Sequence, residues 1–158
     1  MNDYSRPAGP SAVTVDVVRL PHFEGLELPS YATAGAAGVD FLAAIETPLV
    51  IRPGERRIVP TGLKIAIPAG YELQLRPRSG LALKHGIMLP NAPGTIDEDY
   101  RGEICIIILN AGNEAFTIER AMRIAQGILA PVTRLVWREC DTLDQTDRGH
   151  KGFGSTGF

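Results

Sequence analysis

The chain has 158 residues and a net charge of −2, enough for one domain that buries roughly 70% of the surface its unfolded form exposes. No apolar stretch approaches the roughly 20 residues that span a bilayer, and residues 1–10 lack the apolar core of a secretory signal, so a cytoplasmic protein with no membrane contact is expected. The balanced charge gives no general field to draw in a nucleic-acid backbone; Cys105 and Cys140 read as reduced residues within or near strands, and His22, His85 and His150 show no zinc-ligand spacing.

Residues 1–11 are rich in proline, glycine and polar side chains and read as a disordered tail. From Ala12 onwards, short apolar runs alternate with turn signals. Residues 13–18 alternate in part, 48–51 stop at Arg52-Pro53-Gly54-Glu55, and 57–59 stop at Pro60-Thr61-Gly62. Residues 63–67 stop at Pro68-Ala69-Gly70, and 71–75 alternate cleanly up to Arg76-Pro77. Ser79-Gly80-Leu81-Ala82-Leu83-Lys84-His85-Gly86 reads as the one short helix, with Ser79 as N-cap and Gly86 as its stop. Free amides in its first turn, with Arg78 just before them, make an anion site; a purely structural capped turn is the other reading.

Residues 86–90 and the β-branched run 103–109 read as the apolar arms of a hairpin. Its polar tip opens with turn residues: Asn91 at the bend, Pro93 to fix φ, Gly94 to supply the reverse conformation. A cleft-facing Asp97 with Tyr100 three places on suits a general base beside a flat substrate, whereas the bland reading is an acidic turn. Residues 115–118 follow, then 124–136, interrupted at Gly127 and Pro131. Many short strands with Gly/Pro punctuation predict an all-β sandwich or barrel. The glycine-rich end almost imitates a Walker A loop, but it lacks the lysine after the second glycine and nothing can flank it.

Five segments resemble, in order, the signature motifs of the trimeric dUTPases, which hydrolyse dUTP to dUMP and pyrophosphate. They are Ala36-Ala37-Gly38-Val39-Asp40-Phe41, Arg78-Ser79-Gly80-Leu81-Ala82, Ile96-Asp97-Glu98-Asp99-Tyr100-Arg101-Gly102, Arg123-Ile124-Ala125-Gln126, and the end from Arg148. Residues 91–95 are similar to the approach loop of many bacterial members. The resemblance implies a distorted β jelly roll of the β-clip type over residues 12–141. A flexible arm over 142–158 and a homotrimer whose active sites combine motifs from all three subunits come with it. It implies Asp97 as the catalytic base, activating a water that attacks the α-phosphorus of dUTP. Arg78, Ser79 and Gly80 are expected to hold phosphates, and Gln126 to reach the α-phosphate and the water. Asn91, Thr95 and Ile96 are expected to read uracil beside them, with Tyr100 under the sugar. In the arm, Arg148 is assigned to the γ-phosphate, Phe153 to stacking on the base, and Gly154, Ser155 and Thr156 to the bound nucleotide. Asp40 is expected to steady waters bound to Mg2+. Such an enzyme keeps uracil out of DNA and supplies dUMP for thymidylate synthesis.

Two departures accompany the match. The family has Gly-Asp before the arginine of the fourth motif, whereas this chain has Ala121-Met122; Gly127 stands where a bulky apolar residue is common. The first removes a partner for a neighbouring cation and puts local geometry at issue more than chemistry. Two other readings stand beside it: dCTP deaminase, which shares the fold and needs an extra acid/base just after the hairpin, where Glu103 follows Gly102, and a nucleotide-responsive binding or regulatory protein that uses the same trimer without turnover.

Overall fold

The structure, a computed structural model, describes residues 12–152. Alternation along each strand decides which side chains turn inward. In β8 (Glu103–Asn110), Ile104, Ile106 and Ile108 are fully buried, and Val59 meets them from β4 (Arg56–Ala66). These strands are the middle of a four-stranded sheet ordered β1–β4–β8–β6, with β1 (Asp16–Arg19) and β6 (Ile87–Met88) at its edges. A second sheet runs β2 (Val39–Leu42), β10 (Arg123–Pro131), β5 (Tyr71–Arg76) and β7 (Gly94–Ile96). It turns Phe41, Leu73, Leu75, Ile124 and Ala125 into the same core. A two-stranded sheet of β3 (Leu49–Ile51) and β9 (Phe116–Ile118) adds Ile51 and Ile118. Each fully buried aliphatic side chain contributes about 1.5–3 kcal/mol to holding the layers together.

All strand pairings are antiparallel, and α1 (Ser79–His85) is the one α-helix among the described residues, so the expected β architecture with a single short helix is found. No helix among them is long and apolar enough to cross a membrane.

Several boundaries differ from the sequence reading. Residues 57–59 and 63–67 are one strand, because Pro60-Thr61-Gly62 forms a bulge rather than a stop: the register with β8 shifts between Pro60 and Lys64. The buried Thr61 hydroxyl donates to Ile104 O and Gly62 N–H to Glu103 Oε1, which stitches the extra residues to β8. The expected simple hairpin is split. β6 does pair with β8, but β7, inside the connection, crosses to pair with β5 in the other sheet. Gly94 is not in the reverse conformation; it is buried, and a side chain there would press on Asn91 and Leu75. The N-cap of α1 is Arg78 with extended backbone, and Ser79 is the first helical residue with no side-chain cap; Gly86 does close the helix at φ 67°. The run 124–136 ends as a strand at Pro131, opposite Tyr71 where β5 begins; one further backbone bond, from Val132 N–H to Gly70 O at 2.9 Å, closes the ladder onto the Pro68-Ala69-Gly70 turn. Beyond it Val136 and Trp137 are 92% and 86% exposed, and Cys140 is exposed outside any strand.

One backbone position carries strain. Ala121 has φ 64°, the only non-glycine residue with positive φ among those described, at the position where glycine is usual in the resembled motif. An L-residue in this region costs about 1–2 kcal/mol, partly offset because alanine restricts the unfolded chain more than glycine does. Ala121→Gly is therefore expected to raise stability by about 0.5–1 kcal/mol, seen as a higher urea midpoint at unchanged slope. A lower midpoint would show that the turn is relaxed with alanine.

Candidate active site

Three elements bring opposite charges to one end of the second sheet. Asp40 of β2 lies in register with Gln126 of β10, which lies in register with Arg76 of β5. Just past Arg76 the chain turns into α1. Arg78 Nε reaches Asp40 Oδ1 at 3.0 Å, Arg123 Nη1 lies 3.5 Å from Asp40 Oδ2, and Arg78 Nη1 donates to Arg123 O at 3.2 Å. Gln126 Nε2 donates to Pro77 O at 2.9 Å, which fixes its amide at the floor of the cleft. Asp40, Arg78, Ser79, Gly80, Lys84, His85 and Gln126 line that cleft. The amides of Ser79 and Gly80 begin α1 and have no carbonyl four residues back within the helix. Partly exposed ion pairs of this kind add only about 0–1 kcal/mol each. Their effect is to aim the guanidinium groups. Three cations against one carboxylate make the cleft suited to an anion, although the chain as a whole is acidic.

The acidic tip is built differently. Glu98 is committed to structure: its Oε2 accepts from Gly70 N–H at 2.7 Å and its Oε1 from Arg134 Nη2 at 3.3 Å. Arg101 Nη1 donates to Glu98 O at 2.6 Å and Tyr100 O at 2.8 Å, and Tyr100 N–H closes the turn onto Asp97 O at 3.2 Å. The backbone of the tip is thus held while the Asp97 carboxylate is exposed and accepts no hydrogen bond among the described residues. Tyr100 donates its hydroxyl to Glu103 O at 2.9 Å, and its ring lies so close to Gly102 that a side chain there would land on the hydroxyl. Thr95 and Ile96 sit in β7 opposite Gln74 and Leu73, and Asn91 is exposed at the start of the loop.

One chain does not bring these two parts together. β7 and β10 flank β5 on opposite sides, with Ile96 opposite Leu73 and Gln126 opposite Arg76. Strand rise and spacing then place Asp97 roughly 15 Å from Gln126 of the same chain. A base must lie within hydrogen-bond reach of the water it activates. Accordingly Asp97 faces a separate hollow with Tyr71, Glu72, Asp99, Val132 and Arg134. Arg148 is exposed and donates through Nε to Lys151 O at 3.1 Å; Phe153, Gly154, Ser155 and Thr156 lie outside the described residues.

For a metal, the donor set is sparse. No group of three or more His, Cys, Asp or Glu ligands exists among the described residues, and Asp40 is already shared by two arginines. This donor set fits an ion that keeps its waters and is carried by a polyanionic ligand, with Asp40 meeting the waters.

Both departures in the fourth motif have structural counterparts. Arg123, without an adjacent acid, turns to Asp40, and Met122 packs against the core. At Gly127 a Cβ would lie 2.5 Å from Phe41 Cε2, so the aromatic ring occupies the space a bulkier residue would need. Glu103 is not free for acid/base work: one oxygen accepts from both His22 Nε2 and Gly62 N–H, at 2.7 Å each. This removes the group on which a deaminase reading would depend. Burial, and next the Glu103 carboxylate, push the Cys105 thiol above its ordinary value, so it remains a neutral packing residue.

Sequence reasoning missed the residues that fix the site. Arg120 donates to three carbonyls, those of Ile45, His22 and Glu24, and so pins the approach to β10. Glu98 and Arg101 hold the tip, yet in the sequence they are only two more charges in a polar loop. No local signal marks a side chain whose partners lie up to 98 residues away.

A family model described as dUTPase matches residues 24–157. The deoxyuridine 5'-triphosphate nucleotidohydrolase of Rhizobium meliloti is 58% identical over 155 residues, covering 97% of this chain and 96% of that protein. The protein of that name from Zymomonas mobilis is 57% identical over 146 residues, covering 92% and 99%. Among solved structures, the Staphylococcus bacteriophage 80alpha dUTPase with dUPNHPP superimposes with a TM-score of 0.82 at 25% identity, covering 93% of this chain and all of that one.

Proposed function

Because the chain belongs to the dUTPase family, and is a dUTP diphosphatase as its relatives are, we propose that it works at sites completed between copies of itself. The observation that carries this reading is the separation of Asp97 from the anion cleft of its own chain. A second copy, presenting its Asp97 tip to the first copy's cleft, removes that separation. The association surface is supplied by the outer face of β4–β8. There Ile58, 65% exposed, lies opposite Ile107, with Pro60 opposite Cys105 and Met88 opposite Leu109. Such a continuous apolar strip is what a subunit interface covers. In the proposal the assembly is a homotrimer of distorted jelly rolls, each site drawing on all three chains. Residues 12–141 form the body and 142–158 the closing arm.

In the proposed reaction, Asp97 of one copy takes a proton from a water lined up with the α-phosphorus of dUTP bound in another copy's cleft. The water oxygen bonds to phosphorus, the bridging P–O bond breaks, and pyrophosphate leaves with its electron pair. Arg78 and the amides of Ser79 and Gly80 meet the phosphate charge, and Gln126 orients the water. Asp40 is the residue that would hold the waters of a phosphate-borne Mg2+, whose chemistry there is neutralisation of the triphosphate. Asn91, Thr95 and Ile96 recognise uracil through polar groups of the loop, rejecting the methyl of thymine by size and cytosine by unmatched hydrogen bonds. Tyr100 lies against the deoxyribose and excludes a 2′-hydroxyl. Arg148 then pairs with the γ-phosphate, Phe153 stacks on the base, and Gly154, Ser155 and Thr156 close over the nucleotide.

The test is pyrophosphate release from dUTP, UTP, dTTP and dCTP, with and without Mg2+, together with ammonia release from dCTP. Release from dUTP alone, strengthened by Mg2+, is expected. Ammonia from dCTP, or equal turnover of UTP, would overturn the assignment.

A further inference from the structure

We propose that Glu103 and His22 are positioning residues for Tyr100, and thereby set how strictly the enzyme prefers deoxyribose. The inference rests on the reading that Tyr100 faces the sugar. It starts from the one contact that fixes the ring from its polar end: the Tyr100 hydroxyl donates to the main-chain carbonyl of Glu103 at 2.9 Å. The ring stands wherever that carbonyl stands.

Glu103 begins β8 at the point where its pairing with β4 is out of register, between the Pro60–Cys105 and Lys64–Glu103 pairs. A regular ladder does not hold the residue on both sides there. Its side chain does so instead. Glu103 Oε1 accepts from Gly62 N–H, in the bulge of β4, and from His22 Nε2, each at 2.7 Å. A carboxylate only accepts, so the imidazole hydrogen sits on Nε2. His22 is itself fixed: Arg120 Nη2 donates to its carbonyl at 3.0 Å and to that of Glu24 at 2.6 Å. Leu20 N–H donates to Gly62 O at 2.8 Å, tying the same segment to the bulge. The chain of contacts therefore runs from the Pro21–Phe23 turn through His22 and Glu103 to the Tyr100 ring, and Gly102 leaves no side chain to act as an alternative stop. Glu103 and His22 are partly covered, at 23% and 28% side-chain exposure, and neither lines the anion cleft. Their influence on the reaction passes through Tyr100.

The experiment compares kcat/KM for dUTP and UTP in Glu103→Ala, Glu103→Gln, His22→Ala and, as control, Tyr100→Ala, each at equal concentration of folded protein. Glu103→Ala is expected to lower the dUTP-over-UTP ratio about tenfold and His22→Ala about threefold, in line with losing charge-assisted hydrogen bonds. Glu103→Gln keeps an oxygen acceptor for Gly62 and is expected to restore most of the ratio. A purely structural role would lower both substrates alike and leave the ratio unmoved, which would overturn the proposal. If Glu103→Ala does not fold, His22→Ala and Glu103→Gln decide. Should Tyr100→Ala collapse the ratio while the other variants keep it, positioning alone fails. Should Tyr100→Ala also keep it, the sugar-face reading falls and the proposal with it.

Discussion

Asp97→Asn is expected to lower kcat by about 10²–10⁴-fold while leaving the Kd of a non-hydrolysable dUTP analogue within about twofold, because a general base acts on the water and not on the bound nucleotide. The structure makes this a clean substitution. The tip backbone is held by Glu98 and Arg101, not by Asp97, whose carboxylate makes no hydrogen bond among the described residues. Asparagine keeps the shape and removes the proton acceptor, so stability is expected to be unchanged. Turnover at the wild-type rate would show that another group activates the water.

Mixing Asp97→Asn chains with Arg78→Ala chains is expected to restore activity that neither variant has alone. If Asp97 of one copy serves the phosphate cleft of another, random assembly after joint refolding leaves about one quarter of sites with both residues intact. If each chain supplies its own site, every site in the mixture lacks one of the two and no activity returns. Arg78→Ala also frees Asp40 from its nearer partner, at 3.0 Å, so thermal unfolding of that variant should be measured alongside. Recovery near one quarter supports sites shared between chains; none, from two folded variants that do assemble together, overturns them.

Much of the strand pattern was legible because it depends on neighbours in sequence. The alternation from Tyr71 to Leu75 becomes β5, the β-branched run after Gly102 becomes β8, and Gly86 ends α1 in the left-handed conformation. Local signals failed where two segments distant in the chain meet. Pro60-Thr61-Gly62 has every local mark of a turn, yet it is a bulge within one long strand, because Glu103 and Ile104 accept hydrogen bonds from Gly62 and Thr61. Val132 to Val136 looks like more strand, yet β10 ends at Pro131, and after one last bond from Val132 N–H to Gly70 O the opposing chain turns away at Pro68-Ala69-Gly70. Ala121 keeps the backbone of a glycine position, which its own preference disfavours and which Arg120, bound to three carbonyls, helps to impose.

The sequence by itself determined the chemistry on offer: an acid, a tyrosine, arginines before a helix start and a glutamine, in an order that matches a known set of motifs. It also determined the mostly-β character, since period-two alternation and turn residues act over a few positions. Only the tertiary structure decided which of the acids at the tip is engaged and which is free, through Gly70 and Arg134 holding Glu98. It alone put Asp97 and the Arg78 cleft on opposite sides of β5, because strand order is a matter of long-range pairing that residue spacing does not encode.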